Sequence, residues 1–108
     1  MAKGFDAQFG NLMKQAQDMQ RKMAQTQEEL RTRVVEGSAG GGMVTAQVNG
    51  KLELVNLKID PEVVDPDDVD MLQDLILAAV SQATQKAQEL AREEMNKATG
   101  GLPIPGML

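Results

Sequence analysis

The side chains that could contact an anionic partner are concentrated near the start of this chain. Six of the eleven Lys and Arg residues fall within the first 33 positions, and an ammonium or guanidinium group there could bind a phosphate or a carboxylate. The six are Lys3, Lys14, Arg21, Lys22, Arg31 and Arg33. Asp and Glu residues share the segment, so its positive excess is small. Arg92 and Lys97 lie in a later segment that also carries several glutamates.

The plainer interpretation of the first segment is a solvated helix surface. Asp18 lies four residues from both Lys14 and Lys22, and Glu29 lies four residues before Arg33. Pairs at that spacing stabilise a helix by only about 0.2–0.5 kcal/mol each. The residues alone favour this interpretation over a binding surface. The net charge of −5 also argues against strong, indiscriminate attraction to phosphate.

The composition removes most catalytic and metal chemistry. The chain has no Cys and no His, so it lacks thiolate ligands, disulfides and the commonest general base. An acidic cluster begins at Asp60, but a calcium loop would need regularly spaced ligands around a central Gly. Stacking on single-stranded bases is nearly excluded because Phe5 and Phe9 are the only aromatic residues. We therefore expect no catalytic residue, no metal and no cofactor.

An apolar seam predicts a long first helix, at about residues 6–33. Its members follow one another in steps of three and four, which places them on one stripe of an α-helix. They are Phe9, Leu12, Ala16, Met19, Met23, Thr26 and Leu30. A helix of roughly 40 Å, at 1.5 Å per residue, is too long for so short a chain to surround with a compact core. It must pair with a second helix, another subunit or both.

Three short strands are predicted next, at about residues 33–37, 43–48 and 51–59. A run of glycines at positions 40–42 separates the first two. Asn49-Gly50 predicts a hairpin with a type I′ turn between the second and the third. In the third strand the apolar positions move from one face to the other between Leu54 and Val55, which indicates a bulge or burial of both faces.

The last elements are a short helical turn at about residues 61–64 and a second long helix at about 66–98. Each follows an Asp-Pro pair, in which Asp accepts bonds from free N–H groups and Pro suits the first helical position. The seam of this helix is rich in Ala, which lets another element approach closely. Its members are Val69, Leu72, Ile76, Ala79, Ala83, Ala87 and Leu90. A Pro/Gly tail at residues 100–108 is expected to be flexible.

These elements predict an α+β fold in one domain at residues 1–99, with a long helix, a three-stranded antiparallel sheet and a second long helix. So thin a sheet does not stand alone comfortably, and we expect a homodimer with a shared core. The residues expected in that core are Phe9, Leu12, Met19, Met23, Leu30, Leu72, Ile76, Ala79, Ala83 and Leu90. No apolar run approaches the roughly 20 residues of a transmembrane helix, and the first residues lack the apolar core of a signal peptide. A cytoplasmic protein without a membrane partner is predicted.

Several motifs in order carry a family resemblance. They are Leu12-Met13-Lys14-Gln15-Ala16-Gln17, Glu36-Gly37 with Gly40-Gly41-Gly42, Val48-Asn49-Gly50 through Lys58-Ile59-Asp60-Pro61, Met71 through Val80, Lys86-Ala87-Gln88-Glu89-Leu90, and Gly101-Leu102-Pro103 with Pro105-Gly106. Together they resemble the YbaB/EbfC family of nucleoid-associated proteins along nearly the whole chain. The resemblance implies a small cytoplasmic homodimer shaped like tweezers, with a sheet base and protruding helices. It also implies binding to double-stranded DNA, with effects on nucleoid organisation and gene expression.

Under this resemblance the cations become candidate DNA-binding residues. Lys14, Arg21 and Lys22 rank first, followed by Lys3, Arg31, Arg33, Arg92 and Lys97. The last two are expected near a free helix tip, as Lys3 and Lys14 are at the other terminus. No recognition helix, zinc finger or aromatic RNA-binding strand is visible in the sequence. Contacts to the DNA backbone and shape are therefore favoured over base reading, and no small-molecule substrate is expected.

The leading alternative is a protein-binding clamp or chaperone-like adaptor that uses the paired helical arms. Met13, Met19, Met23 and Met95 offer adaptable apolar contacts. The first three can equally fill the seam, whereas Met95 is expected to lie off it. An enzyme is the least supported class, because no His is present to activate a Ser or Thr. The glycine run joins two strands, so hairpin flexibility explains it more simply than a phosphate loop does.

Overall fold

The computed structural model describes residues 2–100, with side chains from Gly4 onward. Its elements are α1 (Ala2–Thr32), β1 (Val34–Ala39), β2 (Val44–Asn49), β3 (Leu54–Ile59), a single 3-10 turn (Pro61–Val63) and α2 (Val69–Ala98). The strands form one antiparallel sheet in the order β1-β2-β3. The predicted α+β arrangement is thus confirmed. The tail expected beyond residue 100 lies outside the described residues.

Helix α1 begins at Ala2, earlier than the predicted start near residue 6. Gly4 and Gly10 lower helix propensity by about 1 kcal/mol each relative to Ala, yet the helix continues through both. The rings of Phe5 and Phe9, one helical turn apart, stack with their centroids 6.2 Å apart. An apolar contact at this spacing supports the helix at the point where the glycines weaken it.

The core lies where α2 crosses one face of the sheet. Val44, Ala46 and Val48 of β2 point into it, and Ala79 and Ala83 of α2 cover them. Small side chains allow the helix and the sheet to approach closely, and this close approach is clearest at Gly37 on β1, where any side chain would meet the backbone of α2. A Cβ atom at residue 37 would lie 2.4 Å from both the carbonyl oxygen of Ala79 and the amide nitrogen of Ala83. Only glycine fits at this position.

The hairpin between β2 and β3 differs from the predicted type I′ turn. That turn needs positive φ at Asn49 and Gly50, but the one positive-φ residue in this loop is Leu52, at 64°. The buried side chain of Asn49 organises the loop instead. Its Oδ1 accepts hydrogen bonds from the amides of Lys51 and Glu53, both at 3.0 Å, and its Nδ2 donates to the Glu53 carboxylate at 2.9 Å. Strand β3 consequently begins at Leu54 rather than at Lys51.

The phase change within β3 reflects a bulge, one of the two predicted explanations. Val48 lies opposite Leu54 and Gln47 opposite Asn56, which leaves Val55 as the extra residue. Because one residue is inserted, the side chains of Leu54 and Leu57 both point to the same face of the sheet. This is the face on which α2 packs against β2. On the other edge, β1 extends past the predicted end at Gly37 to Ala39.

Aspartates begin the helical elements after the sheet, although not all as predicted. Asp60 caps the 3-10 turn by accepting the amide of Glu62 at 2.9 Å. Helix α2, however, begins at Val69 and not near residue 66, since its N-cap is Asp68, which accepts the amide of Met71 at 3.2 Å. Asp65 forms a separate turn before it and accepts the amide of Asp67 at 2.9 Å. The second Asp-Pro pair therefore opens a turn that precedes the helix.

The two helices run antiparallel, and α1 extends well past the end of α2. Glu94 pairs with Arg33, and residues 97–100 lie beside Gln15 and Met19. The molecule measures 80 × 21 × 17 Å with a radius of gyration of 21.0 Å, against about 13 Å for a compact chain of this length. We call residues 4–17 of α1, all exposed, the arm. The sheet, α2 and residues 18–32 of α1 are called the body.

Candidate nucleic-acid interface

The seam of α1 is covered only in the body. Leu30 is 4% exposed, and Thr26, Met23 and Met19 are half-buried. Beyond the end of α2 the same stripe is open, with Phe9 54% and Leu12 63% exposed. Among the predicted core residues of α2, Ala79 and Ala83 are buried while Leu72, Ile76 and Leu90 are half-buried. A single copy of the chain thus leaves the arm surrounded by solvent.

Two of the three first-ranked cations are exposed and available. Neither Lys14 nor Lys22 forms an ion pair among residues 2–100. Arg21 is exposed too, but its guanidinium lies 3.3 Å from the carboxylate of Asp18. Lys14, Asp18 and Arg21 lie on one side of the helix, because seven residues are almost two turns. The cationic row of α1 therefore contains one carboxylate that competes for Arg21.

The lower-ranked cations are mostly committed to local ion pairs. The guanidinium of Arg31 pairs with Glu28 one turn earlier. Glu94 forms ion pairs with both Arg33, at 3.5 Å, and Lys97, at 3.4 Å. Arg92 is exposed on α2, and Lys3 lies in the first turn of α1, with its side chain outside the described part. Within the described residues, the structure therefore separates Lys14, Lys22 and Arg92, which form no ion pair, from Arg31, Arg33 and Lys97, which do.

Lys22 and Lys97 come together although they are far apart in sequence. Both line the clefts between α1 and the end of α2, one bordered by Gln15 and Met19 and the other by Thr26. The prediction that Lys97 lies at a free tip with Lys3 and Lys14 is wrong, because α2 ends beside the middle of α1. Helix spacing could not reveal this cleft, since it depends on where the two helices meet.

Met95 was the methionine expected off the seam, yet it is 3% exposed and belongs to the core. Toward and just past the end of α2 the buried residues are Ala83, Ala87, Met95 and Thr99, spaced by four or eight residues, so the buried stripe drifts away from Leu90 and Glu94. A strict seven-residue pattern misses that drift because a straight helix has 3.6 residues per turn. Met95 is therefore removed from the surface that a protein-binding clamp could use.

Charge is distributed unevenly along the molecule. Through Arg33 the chain has six basic and four acidic residues, whereas the segment from Asp60 to Asp74 has seven acidic residues and no basic one. The latter segment holds the start of α2, which runs back toward α1 and ends beside Met19. The acidic segment and the arm therefore lie at opposite ends of the long axis. The acidic end would repel a polyanion more strongly than the rest of the molecule does.

Comparisons with known proteins agree with this organisation. A family model described as the YbaB/EbfC DNA-binding family matches residues 5–102. A nucleoid-associated protein of Acetivibrio thermocellus is 56% identical over 105 residues, covering 96% of this chain and 93% of its own length. Another, from Caldanaerobacter subterraneus, is 54% identical over 110 aligned positions and covers 99% of both chains.

A solved structure shares the fold. The crystal structure of an uncharacterized protein from Helicobacter pylori matches with a TM-score of 0.71 and 26% identity, covering 87% of this chain and 96% of that chain. None of the helices in the described part, residues 2–100, is both long enough and apolar enough to span a bilayer.

Proposed function

Because the chain belongs to the YbaB/EbfC DNA-binding family, we propose that it binds double-stranded DNA as a homodimer in the nucleoid of the cytoplasm. Binding there would affect nucleoid organisation and gene expression. The observation that carries the proposal is the pair of exposed ammonium groups of Lys14 and Lys22, which form no ion pair within the described residues and lie on the part of α1 away from the acidic segment. Eight residues separate them, about 12 Å along the helix axis.

Contacts to the DNA backbone and shape fit these residues better than base reading. A lysine presents a compact cation suited to a phosphate oxygen, whereas specific base contacts use side chains seated in a groove. Lys97 adds a second cation beside Lys22 across the cleft, and Arg21 adds a third when Asp18 releases it. With so few cations, we expect modest affinity that falls by roughly one power of the salt concentration for each phosphate contact.

The test is a fluorescence-anisotropy titration of a 30-base-pair duplex at several salt concentrations. We expect saturable binding that weakens with salt and is lost in the Lys14→Glu/Arg21→Glu/Lys22→Glu variant. Circular dichroism and sedimentation must show that this variant stays folded with an unchanged oligomeric state. No binding by the unaltered chain at low salt would refute the DNA proposal.

A matched pair of single variants separates the effect of the proposed site from the effect of the net charge. Lys22→Gln and Lys51→Gln each remove one exposed lysine, but Lys51 lies in the hairpin, away from α1. Lys22→Gln should weaken binding several-fold and lower the salt slope, and Lys51→Gln should leave both unchanged. Equal losses would mean that net charge, and not the surface of α1, governs binding.

A substitution at Asp18 should change DNA affinity in the opposite direction. Asp18→Asn removes a negative charge between Lys14 and Arg21 and releases the Arg21 guanidinium from its 3.3 Å ion pair. DNA binding should become several-fold tighter at low salt. Unchanged affinity would show that the Lys14–Arg21 side of α1 does not face the phosphates.

A protein-binding clamp remains the second candidate because of one observation, the open apolar stripe of the arm. Phe5, Phe9 and Leu12 are each more than half exposed, which is unusual for a contiguous apolar surface with no occupant. Phe9→Ser with Leu12→Ser should abolish capture of a protein client and spare DNA binding. The triple charge reversal should do the reverse, so the two functions can be distinguished in one set of variants.

A further inference from the structure

Within the described residues, the apolar stripe of α1 is covered in the body and open in the arm. In the body, the hairpin and α2 pack over it, which buries Leu30 and half-buries Met23 and Met19. Leu12 and Phe5 continue the same stripe at helical spacing, yet both are mostly exposed. An occupant of the arm would therefore extend the cover that the body already provides.

The chain leaves α2 at the base of this open stripe. Gly100, just past the end of α2, lines a cleft together with Gln15 of α1. Because the two helices are antiparallel, α2 is directed toward the start of α1 and hence along the arm. Gln15 also borders a shallow hollow on the arm, with Gln8, Asn11 and Leu12. A continuous path therefore leads from Gly100 onto the arm.

The eight residues that follow Gly100 in the sequence, the tail, lie outside the described part, and their length and composition fit this path. In a polyproline conformation eight residues span about 25 Å, and the distance along α1 from Gln15 to Phe5 is about 15 Å. Pro-rich extended segments bind grooves lined by aromatic rings, and the stacked rings of Phe5 and Phe9 lie on this path. The tail carries no charged side chain, two prolines and four apolar residues, which are Leu102, Pro103, Ile104, Pro105, Met107 and Leu108.

We infer that the tail, residues 101–108, docks on the arm of its own chain and covers the stripe from Leu12 to Phe5. Its prolines restrict the free segment, so docking costs little conformational entropy. The side-chain amides of Gln8 and Gln15, at one border of the stripe, donate to carbonyl groups of the tail. Attachment at Gly100 gives the tail a local concentration in the millimolar range, whereas a protein client or a second copy must come from solution.

Docking of the tail leaves the cationic side of the arm open. Lys14 comes two residues after Leu12, which places its side chain about 200° around the helix from the stripe. A tail without charged side chains also changes the potential at Lys14 very little. DNA affinity should therefore be the same with and without docking, so failure of DNA binding would leave this contact untouched.

A spin label on the tail tests where the tail lies. The chain has no Cys, so Gly106→Cys provides one site for the label. In NMR spectra of the isotope-labelled protein, a docked tail should broaden the amide signals of residues 5–12 at least twice as much as those of residues 18–25. An undocked tail remains centred on Gly100 and broadens both sides of Gln15 equally, and that result would overturn the inference.

Two controls identify the contact. With the same label, a tail of equal length that carries Leu102→Ser, Ile104→Ser and Met107→Ser should broaden both sides equally. A mixture of spin-labelled chains without isotope and isotope-labelled chains without a spin label should show little broadening of the arm. Broadening as strong in the mixture as in the doubly labelled chain would mean that the tail docks on a second copy, which contradicts docking within one chain.

A matched pair on the arm tests the stripe itself. Leu12 and Met13 are neighbouring exposed residues, but Met13 is turned about 100° away. Leu12→Ser should remove most of the preferential broadening of residues 5–12, and Met13→Ser should keep it. Both variants lower helix propensity in the same segment and leave the buried core intact, so equal losses would show that the tail does not recognise the stripe.

Hydrogen exchange gives a readout without a label. The tail with three serines should let the amides of residues 5–12 exchange several-fold faster, because the arm loses its cover, while those of residues 49–53 in the hairpin stay unchanged. Arm amides that exchange at the same rate with both tails would overturn the inference.

Discussion

Leu30 and Leu12 occupy the same stripe of the same helix, yet they are in opposite environments. Leu30 is buried beneath the hairpin, where the amide of Gly50 donates to its carbonyl at 2.9 Å. Leu12 lies in the arm, beyond the end of α2, and is mostly exposed. One uninterrupted pattern in the sequence therefore serves two purposes. It builds a core at one end and leaves an apolar surface at the other.

This contrast indicates that the contacts that stabilise the fold are concentrated in the body. The body has buried apolar residues, close helix–sheet contact and capped turns, whereas the described part of the arm has its own helical bonds, the Phe5–Phe9 contact and, at Gln15, the edge of the cleft beside the end of α2. A helix of about 12–15 residues is marginal in water without tertiary support. The arm can therefore change its conformation at little cost to the fold.

The largest predicted effect compares the two leucines directly. Leu30→Ala should reduce the free energy of unfolding by about 2–5 kcal/mol, because it removes buried methyl groups and leaves a cavity. Leu12→Ala should change it by less than about 0.5 kcal/mol. Urea denaturation followed by circular dichroism measures both. Equal losses would mean that the arm is packed in solution and would remove the distinction between arm and body.

Replacing a glycine of the body and a glycine of the arm by alanine should change stability in opposite directions. Gly37→Ala forces a Cβ into the backbone of α2 and should cost about 1–3 kcal/mol through overpacking. Gly10→Ala meets nothing within 4 Å and should stabilise the arm by up to about 1 kcal/mol, because Ala favours the helix. Thermal denaturation should show a lower midpoint for the first and higher helicity for the second. Losses from both substitutions would contradict the view that the arm is free of contacts.

The features of the fold that sequence predicts are those set by local pattern. Periods of three and four gave both helices and the buried Ala79 and Ala83, since a helix must bury its apolar stripe. The apolar positions change face between Leu54 and Val55, and because side chains alternate along a strand, this predicted the bulge as one of two explanations. The cap at Asp60 follows from its place before Pro61.

Features that depend on contacts between distant segments could not be predicted in the same way. Asn49-Gly50 has the composition of a type I′ turn, but the end of α1 packs on Gly50 and the Asn49 side chain is buried in its own loop. The cleft between Lys22 and Lys97 exists because α2 runs along the sheet first and then ends beside the middle of α1. For the candidate site, the charge pattern of the first segment indicated a solvated helix surface, and Lys14 and Lys22 are exposed there, but the pattern could not show that Glu94 pairs with Arg33.

A third, smaller effect tests how the hairpin supports the body. Asn49→Ala removes three hydrogen bonds of a buried side chain and should cost about 1–2 kcal/mol, less than the sum because water can replace some of them. Asn56→Ala, on the exposed face of β3 with one 3.4 Å bond to Gln47, is the matched control and should be close to neutral. Denaturant midpoints with unchanged slopes would measure the difference. A neutral Asn49→Ala would show that the backbone alone forms this loop.

The smallest change in stability is expected for a substitution at Glu94, near the end of α2. Its carboxylate pairs with Arg33 and Lys97 at 3.5 and 3.4 Å, so it ties α2 to the residue that follows α1 and also neutralises two candidate DNA-binding residues. Glu94→Gln should cost no more than about 1 kcal/mol of stability, and less at high salt, because the partners are more than half exposed. Glu28→Gln, which removes an ion pair within α1 alone, is the control and should cost less. DNA affinity should move the other way, rising in Glu94→Gln because Lys97 is released beside Lys22. A variant that loses both stability and affinity would show that this ion pair positions the cations rather than competing for them.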